Sequence, residues 1–116
     1  MGAARIAASA LIPAIKKSSN ATVAAVAARD AARAQTYAAE HGIPKSYGSY
    51  EAMLADPEIE AVYNPLPNSE HAPWAIKALE AGKHVLVEKS FTLNAAQAEQ
   101  VAAAAAKAGR MVMEAF

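Results

Sequence analysis

The sequence predicts an α/β fold: a mainly parallel, doubly wound sheet covered by helices. Three observations carry the prediction. Short apolar runs alternate with longer alanine-rich runs, which is the rhythm of repeated βαβ units. The alanine-rich runs are bracketed by helix punctuation, with Asp30, Ser49 and Asn94 in front and Gly42, Gly82 and Gly109 behind. The run from His84 to Ser90, His-Val-Leu-Val-Glu-Lys-Ser, is an apolar strand that stops on a charged pair. In open α/β sheets the carboxyl ends of the strands line the ligand crevice, so Glu88 and Lys89 stand where chemistry can happen. A solvated lysine in a strand-to-helix loop is the plain alternative.

Taken in order, Ala4 to about Lys17 reads as a helix, bent near Pro13. Thr22 to Ala28 reads as a buried strand. Asp30 caps a helix through Ala39, which His41-Gly42 stops. Ser46-Tyr47 adds a short strand, and Ser49 caps a brief helix to Ala55, ended by Asp56-Pro57. Ala61 to Asn64 is a strand running into Pro65-Leu66-Pro67. Asn68 or Ser69 caps and opens a helix to Ala81, and Gly82 ends it. Lys83 to Val87 is a strand. Asn94 caps a helix to Ala108, and Met111 to Glu114 is the last strand. The chain opens on a glycine turn and a helix with no strand in front. The expectation is therefore one incomplete nucleotide-binding domain over residues 1–116, lacking its first strand and a second, substrate-binding domain.

Composition narrows the function classes. The chain has 116 residues, of which 54% are hydrophobic, but 33 are alanines. That leaves about 30 larger apolar side chains, enough for one modest core. Eleven basic and eleven acidic residues cancel, which argues against a nucleic-acid partner. No apolar run is long enough to span a bilayer, so no membrane partner is expected. There is no cysteine, which excludes disulfides, thiolate metal sites and a cysteine nucleophile, and fits a cytoplasmic protein. His41, His71 and His84 fall on different elements without ligand spacing, so no metal is expected. Met1 to Ala28 has no acidic residue, a composition shared with organelle transit peptides. The alternative assigns these residues to a cofactor-binding turn and helix.

That turn is Gly2-Ala3-Ala4-Arg5-Ile6-Ala7, a relaxed G-x-A-x-x-A form of the Rossmann dinucleotide fingerprint. Glycine makes the tight turn and the small residues let backbone approach a pyrophosphate. The helix N-terminus then holds the anion. The next strand ends on Ala28-Arg29-Asp30. An acid at the reading position accepts the ribose hydroxyls of NAD, whereas an arginine accommodates the 2′-phosphate of NADP. Arg29 takes that position and Asp30 serves as helix cap, which favours NADP over NAD. An exposed arginine with no ligand is the alternative. Asn64 to His71 makes an abrupt turn stiffened by two prolines, suited to a ribose or nicotinamide side or to a plain connection.

Six segments in order resemble one family: Gly2 to Ala7, Val26 to Asp30, Tyr47 to Glu51, Asn64 to His71, Ala81 to Lys89, and Met113 to Phe116. They look like the Gfo/Idh/MocA oxidoreductases, most similar to their dihydrodiol-dehydrogenase-like branch. The resemblance implies reversible hydride transfer between a sugar, polyol or diol carbon and NADP or NAD. It implies that Gly2, Ala3, Ala4, Arg5 and Ile6 hold the pyrophosphate and that Arg29 meets the ribose phosphate. Pro65, Leu66, Asn68 and His71 would line the nicotinamide side. Glu88 and Lys89 fall on the family's E-K-P motif, with Lys89 as the candidate catalytic residue. Its cation would orient the reacting oxygen and stabilise charge developing there. Ser90 replaces the motif's proline. Homo-oligomers would form through the family's second domain. Two rivals are a non-catalytic dinucleotide-binding module and the family's NAD-dependent glycosidases.

Overall fold

The computed structural model describes residues 1–116, which form two compact units, Met1–Asp56 and Pro57–Phe116. Both are α/β with parallel strands, as the alternating pattern predicts.

In the first unit a π-helical segment, Ala7–Leu11, runs directly into α1, Ile12–Lys17. Pro13 explains it. Proline has no N–H to continue the ladder, and its ring crowds the carbonyl four residues back, so the preceding turn widens. The Ile12 N–H accordingly bonds the Ala7 carbonyl. Strand β1, Ala25–Ala27, pairs in parallel with β2, Lys45–Tyr47, and α2, Ala31–His41, crosses between them. β1 is shorter than the expected Thr22–Ala28. Its partner offers three residues, in the register Ala25↔Lys45 to Ala27↔Tyr47, with bonds reaching only to Ala24 and Ala28 on either side. The Asp30 carboxylate accepts the Arg33 N–H at 2.7 Å and caps α2, while Gly42 ends it in the left-handed conformation at φ 64°. The short helix α3, Tyr50–Leu54, is capped by Ser49. Ala3, Ile12, Val26, Ala28, Ala34, Ala38 and Ile43 form one buried cluster, with Val23 and Tyr37 packed against it.

In the second unit β3, Ala61–Asn64, β4, His84–Glu88, and β5, Val112–Ala115, form a parallel sheet with β4 in the centre. Helices α4, Asn68–Glu80, and α5, Ala95–Ala108, make the crossovers. The register Val62↔Val85 and Asn64↔Val87 places four buried side chains on one face. Tyr63, Leu86 and Glu88 therefore lie on the other face, because side chains alternate along a strand. Ala72, Ala75 and Ala78 of α4 are buried, and so is Ala105 of α5. Small side chains of this kind allow close helix packing, which is how so much alanine still makes a core. Strands β4 and β5 each sit one residue later than the sequence predicts. Helix α4 begins at Asn68, with Pro67 in the cap position and no side-chain cap. Asn68 and Ser69 are therefore not its capping residues; proline, with its fixed φ, starts the helix instead. None of the helices is long and apolar enough to cross a membrane.

Candidate functional site

The glycine turn of the first unit is closed by backbone. The Gly2 N–H donates to the Ala27 carbonyl at 2.7 Å, which ties the turn to the carboxyl end of β1. Gly2 has φ 84°, a conformation that favours glycine, and Ala3 follows at φ 38°. Ala3 and Ala7 are buried, so their small side chains are what the packing admits. Arg5 and Ile6 are exposed at the start of the helical run, and Ala4 is half-buried. The first N–H groups of such a run have no partner inside it and point out of its end.

Two side chains of α2 reach back to the same turn. Arg33 donates from Nη2 to the Ala3 carbonyl at 3.4 Å, and Tyr37 donates its hydroxyl to the Ala4 carbonyl at 2.9 Å. Burial pushes the Tyr37 phenol above its usual range, so the donor stays protonated. Sequence reasoning missed both. Their signal was the four-residue spacing of Arg33 and Tyr37, which puts both on one face of α2. Ala28 is buried and Arg29 is exposed immediately after it. Asp30 is occupied as a cap, so the exposed charged group at the end of β1 is a cation.

The second unit brings the Pro65 turn and the Glu88-Lys89 pair together. Asn64 is fully buried. Its Nδ2 donates to the His71 carbonyl at 3.1 Å, and its Oδ1 accepts the Leu66 N–H at 3.3 Å. One amide thus folds the turn between β3 and α4. Pro65 and Leu66 are half-buried, while Asn68 is exposed at the start of α4. His71 lies beneath the turn, 1% exposed. Its Nε2 is 2.6 Å from the Leu66 carbonyl oxygen, and its Nδ1 is 2.7 Å from the Ser90 carbonyl oxygen. A single ring therefore spans the loops that follow β3 and β4.

The segment after β4 is held at several points. Glu88 accepts the Tyr63 hydroxyl on Oε1 and the Lys89 N–H on Oε2. The Phe91 N–H donates to Glu114 Oε1 at 2.8 Å. The Lys89–Ser90 peptide is cis. The Lys89 side chain itself is exposed. Asn64, Tyr63 and Glu114 are supports that sequence reasoning did not single out. The signal for Asn64 was a polar amide ending the apolar strand Ala-Val-Tyr, which needs bonds if buried.

Comparison with known proteins agrees with this architecture. The model of an oxidoreductase family with an NAD-binding Rossmann fold, GFO_IDH_MocA, matches residues 1–116. The chain is 47% identical over 116 residues to D-xylose 1-dehydrogenase (NADP(+)) 2 of Haloferax volcanii, covering 100% of this chain and 35% of the relative. It is 45% identical over 94 residues to trans-1,2-dihydrobenzene-1,2-diol dehydrogenase of Oryctolagus cuniculus, covering 81% of this chain and 29% of the relative. Among solved structures, the 3-ketoreductase KijD10 of Actinomadura kijaniata, in complex with NADP and TDP-benzene, superposes with a TM-score of 0.94 at 39% identity. That match covers 99% of this chain and 35% of KijD10. The chain thus spans about a third of the length of such relatives. With its whole length matched and its strands parallel, the chain belongs to the Gfo/Idh/MocA oxidoreductase family and carries its NAD-binding Rossmann fold.

Proposed function

We propose that this chain is the nucleotide-binding part of an NADP-preferring oxidoreductase that moves a hydride between a sugar, polyol or diol carbon and the nicotinamide. The observation that carries the reading is the closure of the glycine turn on Ala27, two residues before the exposed Arg29. A backbone able to approach a pyrophosphate and a guanidinium able to grip a phosphate then belong to one local structure. This donor set fits a phosphorylated dinucleotide. Gly2, Ala3, Ala4, Arg5 and Ile6 take the pyrophosphate and Arg29 the 2′-phosphate. Pro65, Leu66, Asn68, His71, Glu88 and Lys89 serve the nicotinamide side. The NADP of the xylose dehydrogenase and of KijD10 supports the same preference.

The nicotinamide, when bound, accepts or supplies the hydride. The chain's part is to bind and orient. Lys89 offers an exposed ammonium to a substrate oxygen, and a cation there stabilises the negative charge that grows on that oxygen as hydride arrives at a carbonyl, and the alkoxide from which hydride leaves in the reverse direction. The domain extends over residues 1–116. Substrate selection and homo-oligomer contacts belong to a further domain, and the setting is cytoplasmic. The test is a titration of NADP and NAD into the protein as its gene encodes it. Arg29→Ala is expected to weaken NADP about tenfold or more, the loss of one charge-assisted bond, and to leave NAD within about twofold. Equal losses for both cofactors, or none, would reject the assignment of Arg29.

A further inference from the structure

His71 is bonded in a way that constrains its charge. Both ring nitrogens face carbonyl oxygens, Leu66 at 2.6 Å and Ser90 at 2.7 Å. A carbonyl can only accept. A neutral imidazole has one N–H and one lone pair, so it can satisfy one of these carbonyls and must repel the other. The ring that makes both bonds is the imidazolium. The lengths agree, since both fall below the usual N–H···O distance and at the short, charge-assisted end.

The placement is costly for a cation. His71 is buried, which penalises charge. It also lies in the first turn of α4, where the helix dipole opposes a positive group. The titratable groups on the surrounding elements are engaged elsewhere. Glu70 of α4 accepts the Trp74 indole N–H, Glu88 of β4 accepts Tyr63 of β3, and Glu114 of β5 accepts the Phe91 N–H. The two carbonyls are therefore the ring's own counter-groups. What they secure is the segment on the far side of Lys89, because Ser90 is the next residue.

We propose that His71 is a positioning residue for Lys89: an imidazolium clasp that joins the turn after β3 to the segment after β4. The proposal rests on the reading of Lys89 as the group that meets the reacting oxygen. The sequence motif offers Ser90 where the family has proline, and serine leaves this segment without that ring's constraint on φ. The clasp supplies the missing constraint from the side, through the Ser90 carbonyl.

The test uses the protein as its gene encodes it, labelled with 15N in histidine and backbone. At pH 7 both ring nitrogens of His71 are expected to carry protons. Both ring N–H protons should also exchange slowly with solvent, as buried hydrogen-bonded protons do. His71→Gln offers an amide that donates from only one side. It is expected to lower kcat about tenfold to a hundredfold, the usual scale for a small misplacement, with the loss in kcat larger than any rise in KM for the substrate. A ring with a single proton at pH 7 would overturn the clasp, as would a kcat unchanged in His71→Gln. If that variant does not fold, the ring spectrum of the unaltered protein decides, and fewer than two slowly exchanging ring N–H protons overturn the clasp. Lys89→Met separates the two ideas. Full kcat in that variant rejects the role of Lys89, while the 15N ring spectrum still reports on the clasp.

Discussion

Asn64 shows how one residue can shape a site without touching a ligand. Its amide uses donor and acceptor at once, on the His71 carbonyl and the Leu66 N–H. Asn64→Ala leaves both groups unmatched and opens a small void on the face packed by Val62 and Val87. The expected loss is about 2 kcal/mol, read as a lower urea midpoint with an unchanged m-value. At this scale the sequence was informative where chemistry is exposed and mute where it is buried. Arg29 and Lys89 stand out because charged groups follow apolar strands. Asn64 and Tyr63 do not stand out, and His71 stands out only through the family motif and not for its bonds, because these residues have partners 5 to 25 residues away. No local pattern announces such distances.

At the scale of elements, punctuation was legible and extent less so. Asp30, Ser49 and Asn94 cap α2, α3 and α5 as their positions predict. Asn68 has the same residue type as Asn94 and a different job, because Pro67 already starts α4. Asp30→Ala is therefore expected to cost about 1 kcal/mol, and Asn68→Ala no more than a few tenths, in parallel chemical denaturation of the two variants. Equal costs would show that Asn68 caps after all. Strand limits were harder to see. A strand lasts as long as its neighbour pairs with it, and the neighbour of β1 is three residues long. The π-helical segment before Pro13 was foreshadowed only as a bend, since proline reveals where a helix is disturbed but not how the disturbance is absorbed.

For the whole molecule, alternation of strand and helix was enough to read an α/β fold, and six ordered motifs were enough to read the family. Balanced charge and abundant alanine added little. The division into units of residues 1–56 and 57–116 was not legible, because it depends on which strands share ladders. It has a measurable side. β4 is flanked by β3 and β5, and Val85 and Val87 are buried, whereas β1 has one partner of three residues. In hydrogen exchange of this chain the amides of Val85 to Val87 should outlast those of Ala25 to Ala27 by about tenfold or more. Comparable rates would mean that ladder number does not set local stability here.

The bond from the Phe91 N–H to Glu114 joins residues 23 positions apart. A ribosome delivers them in order, so the lysine's tether is available only after α5 and most of β5 have been made. Until then the stretch around Lys89 has nothing to fasten to on that side. The Lys89 ammonium is thus set in place later than its own position in the sequence suggests.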